Sequence, residues 1–212
     1  LKVDDVALHE SKADSAAALL EVADIYIGFQ FWDIVSGNYD IQSLVVEDGF
    51  FDLVIHEDGV SNLERAIASN STDEESSPLK VHLKKIELKN IDIHHRQEAN
   101  QKEVETMIYW AKGGFSTSER NTAAHVDSEF ELNIIEEGDS TYFKHKHFEF
   151  HTDFNFDHDS GLLAFKPSGI KMEHADFEVE GTIDTKQELN MDLKIKGTKP
   201  SFDLFFAFAP SE

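Results

Sequence analysis

The sequence predicts a mainly β protein, a long antiparallel meander carrying two or three short helices. Short runs of alternating apolar and polar residues recur along the whole chain, and period two is the signature of a strand with one buried and one wet face. Seventeen phenylalanines against four prolines suit pleated surfaces and offer few breaks. Helical spacing is confined to short stretches, and no internal repeat of about 20 to 50 residues is evident. The 212 residues therefore read as a single β-rich region.

Leu1 to Leu8 alternates weakly and reads as a strand. Ala23, Ile25, Ile27, Phe29 and Phe31 then share one parity opposite Asp24, Tyr26, Gly28 and Gln30, which describes a half-buried strand. Phe31 to Ser36 suits one helical turn, broken at Gly37-Asn38. Ile41 to Glu47 and Phe50 to Glu57 are expected as two strands of a hairpin around Asp48-Gly49. Asp58-Gly59 makes a turn, and Ser61 with Glu64 three residues on forms a capping box. A short helix should therefore run from Ser61 through Asn62 to about Ala68. Residues 69–78 hold no apolar side chain and read as a mobile loop.

Strands resume at Leu79 to Leu88 and Ile91 to His95, with a parity slip that suggests a bulge near Lys89-Asn90. Val104 to Phe115, Val126 to Glu136, Tyr142 to Asp157, Gly169 to Ile183 and Leu189 to Gly197 complete the series. Pro200-Ser201 opens an apolar run that reads as a helix capped by Ser201 and stopped at Pro210. The later strands place Phe148, Phe150, Phe154, Phe156, Leu189, Met191, Leu193 and Ile195 on apolar faces. The helices are too short to cover so many strands, so these residues are expected to line a trough or curved sheet.

One stretch, KHKHFEFHTDFNFDHD, raises the question of a metal site. His145, His147 and His151 share the parity opposite the four phenylalanines, which is what the solvated face of a strand looks like. A His-x-His pair could reach one cation, but a site needs three or four ligands, and no H-E-x-x-H, cysteine or spaced ligand set completes it. The expectation is that these histidines bind no metal and that the chain carries no cofactor.

Nineteen basic residues against 42 acidic ones give a net charge of −23, which disfavours nucleic acid and anionic headgroups as direct partners. Zero cysteines exclude disulfide and thiolate chemistry. There is no G-x-S-x-G, and Gly113-Gly114 lacks the Lys-Ser/Thr of a phosphate cradle. DHDSG at 157–161 lacks the twelfth-position Glu of a calcium loop, where Ser168 stands. His94 and His95 are adjacent in a strand and so point to opposite faces. Nothing here assembles an enzyme. No stretch is long and apolar enough to span a membrane, and a chain that opens on Leu1 reads as a mature product or a piece of a longer protein.

Three stretches in order carry a resemblance. YDIQSLVVEDGFFDLVIHEDGVSNLERAI, LKKIELKNIDIHHRQ and LNMDLKIKGTKPSFDLFFAFAP, with the strand and FWDIVSG turn before them, resemble the AsmA-like proteins of Gram-negative bacteria. Asp58, Gly59, Ser61 and Asn62 match that family's turn and helix start, while His94-His95 stands where a Tyr and an Asp are frequent. The resemblance implies a periplasmic portion anchored to the inner membrane by an N-terminal helix that precedes it. It also implies a link to outer-membrane assembly and kinship with bridge-like lipid-transfer proteins, whose sheets curl into an apolar groove. Phospholipid or another envelope lipid would be the partner, and no catalytic residue carries over. A β-sandwich adhesion or carbohydrate-binding module outside the cytoplasm remains the alternative. A His-x-His metal hydrolase is a third reading, requiring a further ligand to meet His145 and His147.

Overall fold

Nearly every alternating run becomes a strand, and the strands join one open sheet. The computed structural model describes residues 1–10, 18–29, 41–70, 81–141, 143–185, 190–199 and 202–207. Its strands are β1 (Lys2–His9), β2 (Ala18–Phe29), β3 (Ile41–Ile55), β4 (Val81–Gln97), β5 (Lys102–Thr117), β6 (Asn121–Glu136), β7 (Asp139–Ser140), β8 (Lys146–Asp157), β9 (Leu162–Met172), β10 (Ala175–Asp184) and β11 (Asn190–Gly197). Two helices are described, α1 (Asn62–Asn70) and α2 (Asp203–Ala207), with a 3-10 turn at Glu98–Asn100. The strands lie in chain order across the sheet, except that the short β7 pairs only with β6, so that β8 is the next strand along. Among the described residues no helix is long and apolar enough to cross a membrane. The expected turn at 31–36, residues 71–78 of the expected loop, Leu189, Ser201 and Pro210 lie outside the described residues.

The expected hairpin at Asp48-Gly49 does not form. β3 runs straight through it, and β3 pairs with β4 in parallel, the one such pair among the described strands. Asp48 does take the left-handed conformation, with φ 55°. Here it kinks a continuing strand instead of reversing the chain. Its neighbour in β4 does the same: Asn90 has φ 51° and donates from Nδ2 to Asp48 Oδ1 at 2.9 Å. Asp5 of β1, at φ 53°, repeats the device on the far side of β2. Asp and Asn are the side-chain-bearing residues that tolerate this conformation best. Gly49 follows because a Cβ there would lie 2.5 Å from the Glu21 carbonyl oxygen. The kink at Asn90 produces the parity slip, since Leu88 faces Val46 and Ile91 faces Gly49 on one side of the sheet. The two expected strands on either side of Asn90 are therefore one, β4.

A parallel pair needs a crossover of a dozen or more residues, and α1 lies in it. The helix starts as its capping box requires. Ser61 Oγ accepts from Glu64 N at 3.1 Å, and Glu64 Oε2 accepts from Ser61 N at 2.8 Å. In the preceding turn Gly59 has φ 81°, Asp58 Oδ1 accepts from Val60 N at 3.0 Å, and Asp58 Oδ2 meets Arg65 Nη2 at 2.8 Å. Asn62 turns back onto the sheet, accepting from Val54 N at 3.1 Å and donating to Asp52 O at 2.7 Å. Ser61→Ala should lower stability by about 0.5–2 kcal/mol at neutral pH, read from the denaturant midpoint against an exposed Ser→Ala elsewhere. The backbone N–H of Ser61, then its hydroxyl, hold the Glu64 carboxyl below its ordinary value of 4.5. That contribution is complete at neutral pH and fades as pH falls below 4.5, so part of the difference should fade with it. Equal midpoints at neutral pH would mean that no helix starts at Ser61.

Two further boundaries differ from expectation. The run from Gly169 to Ile183 is a hairpin, β9 then β10, turning at Glu173-His174 with Glu173 at φ 54°. β9 also begins earlier than expected, at Leu162, and Pro167 is accommodated where its pairing with both neighbours is irregular. β8 starts at Lys146 rather than Tyr142, because His145 is left-handed at φ 48°. A buried apolar cluster lies at this end of the sheet, where Met172, Ala175, Phe177 and Ala207 pack against Phe143, Phe148, Ile170 and Leu204. α2 thereby covers part of β9 and β10.

Candidate functional site

Residues opposite one another in register share a face, so the pairing assigns the paired side chains to one of two sides. Phe148, Phe150, Phe154 and Phe156 of β8 stand opposite Met172, Ile170, Phe165 and Leu163 of β9. β10 continues the row with Ala175, Phe177, Val179 and Ile183, and β11 ends it with Ile195, Leu193 and Met191. All seven described candidates for the groove therefore lie on one continuous apolar face; Leu189 is outside the described residues. Ring packing knits the row: Phe130 stacks on Phe148 at 5.1 Å, Phe143 on Phe148 at 6.3 Å, and Phe154 meets Phe165 at 6.2 Å.

Cover on this face is partial. α2 packs at the Phe177 end, where Leu204 approaches so closely that a Cβ at Gly197 would lie 2.7 Å from its Cδ1. Beyond it Met191, Leu193 and Ile195 are 54%, 38% and 63% exposed. Polar groups on this side are few and mostly satisfied locally. Thr152 and Ser168, almost fully buried, share a hydroxyl–hydroxyl bond of 2.6 Å, and Ser168 also donates to Lys166 O. Lys146, opposite Leu132, brings a buried amine-bearing side chain to the same side.

The opposite face carries the charge. β6 and β8 run antiparallel with His125 opposite Asp153, Asp127 opposite His151, Glu129 opposite Glu149 and Glu131 opposite His147. His145 Nδ1 meets Glu131 Oε1 at 2.8 Å, and His147 Nε2 lies 3.4 Å from Glu129 Oε1. The like-charged pair Glu129–Glu149 is relieved from both flanks, by Trp110 Nε1 donating to Glu129 at 2.7 Å and Lys171 Nζ to Glu149 at 2.5 Å. His145, His147 and His151 thus part company, each on a different carboxylate, and the His-x-His pair shares no ligand set.

His151 instead meets residues outside the histidine-rich stretch. Its Nδ1 contacts Asp127, whose other oxygen lies 2.9 Å from His125 Nε2. His125 Nδ1 in turn meets Asp153 Oδ1 at 3.1 Å. Asp153 first, then Asp127, raise the affinity of the His125 ring for its proton. Partial burial pushes the Asp127 carboxyl up, but hydrogen bonds from His151 and His125 outweigh it and hold it below the ordinary range. A reading of one sixteen-residue stretch could not find His125 and Asp127. The β6–β8 register is centred on Asp139, whereas the tight turn at Glu137-Gly138 closes β6 on β7, so no local turn signal gives the pairing of Asp127 with His151.

His94 and His95 separate as adjacent strand residues must, His94 Nε2 lying 3.2 Å from Asp92 Oδ2. DHDSG forms a tight turn in which Asp157 Oδ1 accepts from Ser160 N and Oγ. What the fold presents is therefore an apolar face suited to non-directional burial and a polar face of paired imidazoles and carboxylates. No protein-family model matches the chain, and no curated protein matches it in sequence.

Proposed function

We propose that the apolar face binds the acyl chains of phospholipid, and that the chain belongs to a periplasmic, AsmA-like protein. On this reading the full protein is anchored to the inner membrane and assists outer-membrane assembly or lipid transport between membranes. One observation carries the proposal: a row of apolar side chains runs across β8 to β11, covered in part by α2 and still exposed at Met191, Leu193 and Ile195. Contiguous apolar surface of this kind is costly in water and marks a binding surface. Acyl chains satisfy it without directional chemistry, and the paired imidazoles and carboxylates of β6 and β8 lie on the opposite face. The order of strand, Asp-Gly turn, capped helix and closing Ser-Phe segment supports the family assignment. A β-sandwich module would need a second sheet packed about 10 Å away, and the described strands all belong to one sheet.

A photo-crosslinking side chain placed at Phe150 or Leu193 in the full-length protein should capture phospholipid in cells. The same probe at Glu149 or Lys194, on the opposite face, should not. Equal labelling of the two faces, or none at either, would remove the reading.

A further inference from the structure

The polar face holds a second feature that lipid binding does not use. Asp127 is the only carboxylate among the described residues on which two imidazoles converge at ligand distance, and donor atoms of His125, Asp127 and His151 all lie within 4.8 Å of one another. The two rings stand edge to face with centroids 4.9 Å apart. We propose that His125, Asp127 and His151 form a binding site for a divalent transition-metal ion, with zinc the best-matched occupant.

Chemistry and position both favour this over a plain ion-paired ladder. Two imidazole nitrogens and one carboxylate oxygen are a ligand set for zinc and its transition-metal neighbours, whereas calcium and magnesium prefer oxygen throughout. His125 is already held as a ligand should be. Its Nδ1 meets Asp153, which orients the ring and leaves Nε2 directed toward Asp127. Zinc-binding histidines commonly carry such a carboxylate on the second nitrogen. All three ligands come from adjacent strands, β6 and β8, so the ladder itself fixes their spacing. Their side chains are 45%, 34% and 63% exposed, so an ion reaches them from solvent and coordination positions stay open. Lys112 stands opposite Asp127 on β5, while Asp153, Glu149 and Glu129 surround the site with negative charge that attracts cations. His145 and His147 lack this convergence, each leaning on a separate glutamate. The site lies on the face opposite the apolar row and does not depend on lipid binding there.

Calorimetric titration of the chain with zinc chloride at neutral pH tests the assignment, with cobalt(II) visible absorption as an independent report on coordination. One equivalent of zinc is expected. His125→Gln, His151→Gln and Asp127→Asn should each weaken it by about tenfold or more. Asp153→Asn should weaken it by about tenfold, as loss of an orienting carboxylate does. His145→Gln/His147→Gln should bind as the parent does. All of these positions reach solvent, and unfolding midpoints without metal, compared with the parent, separate lost ligands from lost structure. Absence of binding in the parent, full binding by His125→Gln/His151→Gln, or equal loss in the His145/His147 variant would overturn the proposal.

Discussion

Gly181→Ala should detach β11 from the sheet. Gly181 of β10 lies opposite Leu193 of β11, at φ 146°, a conformation that side-chain-bearing residues rarely adopt. A Cβ there would sit 2.0 Å from the Asp192 carbonyl oxygen and 2.9 Å from Leu193 Cα. Both obstacles are backbone, so no side chain can rotate out of the way. Backbone strain of about 1–3 kcal/mol and overpacking of about 1–3 kcal/mol together give about 2–6 kcal/mol. β11 is the last strand of the sheet and exposed along its whole length, so releasing it relieves the clash at less cost than global unfolding. Amide exchange of Met191–Gly197 should therefore accelerate strongly while β4 to β6 stay protected. α2 should loosen too, because Leu204 packs over Gly197. If exchange is unchanged, or if alanine stabilises by the usual entropic gain of about 0.4–1 kcal/mol, β11 is not paired in this way.

Asn62→Ala should have the next largest effect, about 2–4 kcal/mol. Asn62 is 5% exposed, and its amide does for β3 what a neighbouring strand would do, pairing with both Val54 N and Asp52 O. Alanine leaves a donor and an acceptor without partners, and each such buried group costs about 1–3 kcal/mol, less whatever water recovers. Asn62→Asp keeps the acceptor alone and should fall between alanine and the parent. Asn100→Ala, in an exposed turn where the side chain bonds Lys102 N and Gln97 Oε1 and water can replace both, should cost at most about 1 kcal/mol. Coincident urea midpoints for Asn62→Ala and Asn100→Ala would show that the amide does not hold α1 to the sheet. The magnitude matters to the fold, because α1 lies in the crossover that lets β3 and β4 run parallel.

The cap and the alternation were legible for the same reason: both are local. Ser61 and Glu64 are three residues apart and close their hydrogen bonds without reference to the rest of the chain. Phe148, Phe150, Phe154 and Phe156 share a face in any strand, since period two is a property of the extended backbone. Mainly β structure, one apolar and one charged side, and helices too short to cover the sheet were therefore determined by the sequence itself.

Tertiary structure decided which strands adjoin and what the turn-forming residues do. Asp48-Gly49 offers the left-handed conformation that a hairpin and a strand kink both need. Local energetics do not distinguish the two; the presence of β2 on one side and β4 on the other does. The same limit hid the cluster on the polar face. His151 and Asp127 are distant in sequence and meet only because the β6–β8 register is what it is. A shift of one residue would have sent Asp127 to the side of the phenylalanines. Register is set by burying that apolar row over many residue pairs at once, a sum over the whole ladder that no single stretch contains.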